Sequence, residues 1–131
     1  MSGRKVNVLV VDDQEVIRDT LQTALDDEGF TVETAANGRE ALEILGRWKP
    51  CVVLLDLMMP VMDGQTFRAA QRALAETAQI PIIVLSATHE VHGRAAGLGA
   101  AAIFAKPFDL GALLEVIARL LADQTRAEVP S

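Results

Sequence analysis

Five short stretches of the chain are apolar or rich in β-branched residues: Val6–Val11, Val52–Leu55 and Ile82–Leu85 strongly, Thr31–Ala35 and Ile103–Ala105 more weakly. The first three show almost no polar alternation, the pattern of strands covered on both faces, as in parallel sheets. The two weaker stretches belong nearer the sheet edges. Between them the period changes to that of a helix. Val16, Ile17, Leu21, Ala24 and Leu25 form a stripe stopped by Gly29, and Ala41, Leu42, Leu45 and Trp48 form another behind Asn37, a good cap. Phe67, Ala70 and Leu74 line a third helix, and Leu110, Leu113, Leu114, Ile117, Leu120 and Leu121 follow Asp109 as the clearest stripe. A fourth helix, near Glu90–Leu98, carries the weakest pattern. Parallel neighbours need a crossover, and a helix provides it. The alternation therefore predicts an α/β chain: a doubly wound, five-stranded parallel sheet with five helices on its two faces.

At 131 residues, half of them apolar, the chain is large enough for one domain with a real core, which we place at residues 1–122, leaving 123–131 as a short, frayed polar tail. Twelve basic against 18 acidic side chains leave a formal charge of −6, which works against a broad nucleic-acid or anionic-membrane surface. Protein partners are expected instead. Cys51 is the only cysteine, so no intrachain disulfide can form, and it reads as a small buried hydrophobe in a reducing cytoplasm. No apolar run approaches the ~20 residues of a membrane span, and Met1–Lys5 carries no export or anchoring signal.

In a doubly wound sheet, ligands collect beyond the carboxyl ends of the strands. There the first strand delivers Asp12 and Asp13, the third Asp56, the fourth Ser86 and the fifth Lys106. Alone, Asp12 and Asp13 would read as caps of the first helix and Lys106 as a surface lysine. Together, three acids, a hydroxyl and a lysine on one rim read as a site. Two carboxylates about 4 Å apart repel by roughly 1–4 kcal/mol, so three need a cation. Mg²⁺ suits them, because it takes oxygen ligands and keeps exchangeable waters that phosphate oxygens can replace. Lys106 and Ser86 would then stabilise charge on phosphoryl oxygens while one carboxylate acts as the nucleophile.

Other candidates read as structure. Asp63-Gly64 is a turn, His89 and His92 lack a third ligand, and Met58, Met59 and Met62 are packing residues. Gly97-Leu98-Gly99-Ala100-Ala101-Ala102 mimics a dinucleotide fingerprint but precedes a strand instead of following one.

The segments Val10-Val11-Asp12-Asp13, Leu55-Asp56-Leu57-Met58-Met59-Pro60-Val61-Met62-Asp63-Gly64, Ser86-Ala87 and Lys106-Pro107-Phe108 resemble the motifs of the response-regulator receiver (CheY-like) family. The resemblance spans roughly Val6 to Leu121, in order and spacing. It implies a flavodoxin-like fold with Asp56 as phosphoacceptor. Asp13 would bind Mg²⁺ directly, Asp12 largely through water, and Met58 through its backbone carbonyl, with Asp56 completing the metal set. Ser86 and Lys106 would contact the phosphoryl group. The implied partners are a histidine kinase or histidine phosphotransfer protein and a protein output partner, with no direct nucleic-acid or membrane contact; phosphorylation-dependent dimerisation stays open.

Two departures from the family pattern stand out. The switch position three residues before the lysine, usually Tyr or Phe, is Ile103, with Phe104 one residue later. The stretch from Ser86 to Lys106 is also short and holds Gly93, Gly97 and Gly99, each weakening a helix by about 1 kcal/mol relative to Ala. Ser86 is still expected to move toward phosphate, with a mobile fourth helix carrying the signal. Two other functions share parts of this pattern. A phosphate-independent interaction module would keep the pocket as a relic. A Mg²⁺-dependent aspartyl phosphohydrolase would need a second acid at the position of Met58 and a cap domain.

Overall fold

The unbroken apolar runs form the middle of the sheet. In a computed structural model, which describes residues 6–56, 64–73, 78–86, 100–105 and 108–128, the strands are β1 (Asn7–Val11), β2 (Thr31–Ala35), β3 (Val52–Asp56), β4 (Ile82–Ser86) and β5 (Ala102–Ala105). All neighbours pair in parallel, in the order β2-β1-β3-β4-β5. The weaker runs, β2 and β5, thus lie at the edges, as their composition predicts. The helices are α1 (Glu15–Asp27), α2 (Gly38–Leu45), α3 (Gly64–Ala73) and α4 (Leu110–Glu128). The helix expected near residues 90–98 lies outside the described residues.

Alternation along the strands divides the core in two. Leu9, Val11, Val53, Leu55, Ile82 and Val84 face Ala41, Ile44, Leu45 and Phe67 of α2 and α3. Val8, Val10, Val52, Leu54, Ile83 and Leu85 face Leu21 and Leu25 of α1 and Leu113 and Ile117 of α4. Burial of each large apolar side chain is worth about 1.5–3 kcal/mol, so both layers are needed to offset the entropy of ordering.

Local signals set the helix termini, and α2 ends at Leu45, short of the Trp48 expected in its stripe. The Asn37 side chain accepts from the Glu40 amide at 2.9 Å while the Glu40 carboxylate accepts from the Ala36 amide at 3.0 Å, a reciprocal cap for α2. Gly29, at φ +92°, turns the chain after α1, with its amide on the Asp26 carbonyl at 3.0 Å and the Phe30 amide on Leu25 at 3.1 Å. Asp109 accepts from the Gly111 amide at 2.9 Å at the head of α4. Beyond α2, the Trp48 amide bonds the Ile44 carbonyl at 2.8 Å and its ring is half-buried against the α2/α3 layer.

Three expectations need correction. Val16 is 74% exposed, so the buried stripe of α1 runs through Ile17, Leu21 and Leu25 and leaves Val16 on the outer face. Cys51 is half-buried rather than buried. Residues 123–128 continue α4 as helix instead of fraying, since extending a formed helix costs far less than starting one.

Candidate functional site

The register between β1 and β3 pairs Val11 with Leu55. The next residue on each strand is an acid, so Asp12 and Asp56 stand side by side at the carboxyl end of the sheet. Asp12 is wholly buried and Asp56 is 5% exposed, while Asp13 is exposed. One carboxylate oxygen from each of Asp12, Asp13 and Asp56 lies within 4.8 Å of the others.

Asp12 is held on several sides. Its amide donates to the Ala35 carbonyl of β2 at 3.1 Å, its carboxylate accepts from the Gln14 amide at 2.9 Å, and its carbonyl accepts from the Arg18 guanidinium at 2.7 Å. The acids do not cap α1: its N-cap residue is Gln14, which makes no side-chain cap bond. The Asp12 carboxylate instead closes a tight turn leading into the helix. Asp13 projects from that turn toward solvent.

Close carboxylates, two of them buried, repel one another by roughly 1–4 kcal/mol per pair at about 4 Å. The donor set is all oxygen and reaches solvent through Asp13, which fits a hard divalent cation that keeps part of its water shell. Magnesium therefore fits the residues present.

Of the other expected site residues, Ser86 ends β4, paired in register with Ala105, one step beyond the Asp56–Leu85 pair. Its backbone thus reaches the same rim. Met58 and Lys106 lie outside the described residues, though Lys106 directly follows Ala105 in the chain. Ile103 is half-buried and packs on the α2/α3 layer, paired with Val84. Phe104 belongs to the opposite face, packed on the α1/α4 layer, its ring edge-to-face with Phe108 at 6.3 Å between centroids. Because side chains alternate along a strand, Phe104 does not stand in for the aromatic missing at Ile103. Sequence reasoning passed over Arg18, whose only signal is a basic residue set between Ile17 and Leu21 in the apolar stripe of α1.

A doubly wound parallel sheet with an acid triad at the ends of its first and third strands fits a receiver domain, and the chain belongs to that family: the response regulator receiver domain model matches residues 8–118. Among its relatives, the response regulator MprA of Mycolicibacterium vanbaalenii is 41% identical over 119 residues, covering 89% of this chain and 49% of that protein. The MprA of Mycobacterium leprae is 40% identical over 118 residues, covering 88% and 51%. The chain thus spans about half the length of these curated relatives. Among solved structures, the chemotaxis protein CheY4 of Vibrio cholerae is similar at a TM-score of 0.82 and 35% identity, covering 89% of this chain and 99% of that one. The response regulator TrrA of Thermotoga maritima, solved in complex with Mg²⁺ and BeF, is similar at a TM-score of 0.79 and 30% identity, covering 88% and 98%. Among the described residues no helix is long and apolar enough to cross a membrane.

Proposed function

We propose that the protein accepts a phosphoryl group on Asp56 from a histidine kinase or histidine phosphotransfer protein, in a Mg²⁺-dependent reaction, and that the modification changes its affinity for a protein output partner. The observation that carries this reading is the approach of the Asp12, Asp13 and Asp56 carboxylates to within 4.8 Å at the end of the sheet. Membership of the receiver family and the likeness to a regulator solved with Mg²⁺ and BeF support it.

Each residue has a distinct part. Asp56, at the end of the central strand, supplies the nucleophilic oxygen: its bond to phosphorus forms as the bond from phosphorus to the donor imidazole nitrogen breaks, and the imidazole leaves. Asp12, Asp13 and Asp56 would hold the metal, with the Met58 carbonyl as a further protein ligand carried over from the family. A bound divalent ion supplies positive charge against the phosphoryl oxygens and offsets the repulsion among the three acids. Lys106 and Ser86 provide a fixed cation and a hydroxyl donor for the same oxygens. Hydrolysis of the acyl phosphate restores the Asp56 carboxylate and releases inorganic phosphate, so the protein works as a signalling switch.

Intact mass after incubation with a small-molecule phosphodonor, with and without Mg²⁺, on wild type and Asp56→Asn tests the reading. One metal-dependent phosphoryl addition, absent in the variant, is expected. No addition under any condition would overturn it and leave a phosphate-independent interaction module.

A further inference from the structure

Arg18 takes no part in the chemistry above, yet its guanidinium meets the backbone of an acid-site residue. Three hydrogen bonds form a closed circuit at the start of α1. The Arg18 amide donates to the Gln14 carbonyl at 3.1 Å, the Gln14 amide donates to the Asp12 carboxylate at 2.9 Å, and the Arg18 guanidinium donates to the Asp12 carbonyl at 2.7 Å. Asp13 is enclosed in that circuit and is the one exposed member of the acid cluster.

We propose that Arg18 is a positioning residue for this cluster: by holding the Asp12 carbonyl it sets the direction of the Asp12–Asp13 peptide, and so keeps the Asp13 carboxylate beside those of Asp12 and Asp56.

The physical basis is the difference in how the three acids are supported. Asp56 ends a fully buried central strand, and Asp12 is buried and tied to β2 through its amide. Asp13 is exposed, so packing contributes little to where its carboxylate lies. The peptide before it is the handle that remains, and a carbonyl gripped by a charged donor is a strong handle. Arg18 is itself half-buried, which restricts its side chain and lowers the entropic cost of committing its head to the Asp12 carbonyl.

The inference rests on the divalent-cation reading of the acid cluster, and charge and position give opposite signs. A guanidinium close to a cation site repels the ion, so removing it on charge grounds alone would tighten binding. If Arg18 instead positions Asp13, removing it loosens the cluster and weakens binding, as loss of an orienting outer contact does in other metal sites.

The experiment is calorimetric titration of the whole chain with Mg²⁺, on wild type, Arg18→Met, Arg18→Gln and Asp13→Asn, with the melting temperature of each metal-free protein measured alongside. Both neutral Arg18 variants are expected to bind Mg²⁺ about tenfold more weakly than wild type. Affinity equal to or tighter than wild type in a folded Arg18 variant overturns the proposal, including the case in which only the metal-free melting temperature falls, because that marks a purely structural role. Arg18→Gln keeps a polar head and is the variant to rely on if Arg18→Met does not fold. Failure of the underlying reading looks different: wild type and Asp13→Asn would then titrate alike.

Discussion

Asp12 stands beside Asp56 because β1 and β3 pair Val11 with Leu55, one residue before the acid on each strand. A slip of one residue would turn each strand's core-facing side chains to the other layer, so the register that builds the hydrophobic core also holds two buried carboxylates together. The site and the core are enforced by the same hydrogen-bond ladder.

That closeness is costly without a cation. Asp56→Asn removes one charge from the cluster while keeping its shape, and easing even about 1 kcal/mol of repulsion raises the melting temperature of a domain this size by about 4 °C. In metal-free buffer the variant is expected to melt above wild type. Added Mg²⁺ should narrow the gap, because it stabilises the folded wild type more. Calorimetric scans with chelator and with Mg²⁺ check this; an unchanged or lower metal-free value would count against close carboxylates.

On the other side of the sheet, Gln71 of α3 is wholly buried and donates through its amide to the Ile80 carbonyl at 3.2 Å, just before β4. Gln71→Leu roughly keeps the volume but removes that hydrogen bond, which costs about 0.5–1.5 kcal/mol. Urea unfolding is expected to show an earlier midpoint with the slope unchanged.

The rotation of α1 makes a sharper contrast. Leu21→Ala opens a cavity in the α1/α4 layer and should cost about 2–5 kcal/mol, whereas Val16→Ser, on the outer face, should stay within about 0.5 kcal/mol of wild type. Had Val16 been part of the buried stripe, the serine would be strongly destabilising. Equilibrium unfolding of the two variants decides between the two orientations.

Features written in local chemistry are legible in the sequence. Asn37, Gly29 and Asp109 act on backbone groups a few residues away, so their roles follow from position in sequence. Which strands lie centrally and which at the edges was legible too, because continuous apolar runs mark strands covered on both faces. Val16 was misplaced because helical spacing admits it to the stripe, and only the docking of α1 on the sheet fixes which edge of the stripe is buried. Cys51 opens an apolar run but precedes β3, where cover is incomplete. The helical stretch at 123–128 has no apolar pattern, and it forms by continuation from a well-anchored helix. Within the site, Asp12, Asp13 and Asp56 were legible as polar residues at strand ends. Arg18 was not, because a side chain reaching a carbonyl six residues back leaves no periodic trace.

All five residues of β3 are buried, and the strand is hydrogen-bonded on both sides, by β1 and β4. Backbone so placed opens only when the whole domain does, and its amides are the last to exchange with solvent. The acid at its end is therefore carried on the part of the molecule least able to shift. A group attached there arrives on a fixed pedestal, and the accommodation it demands falls to segments whose local opening is cheap.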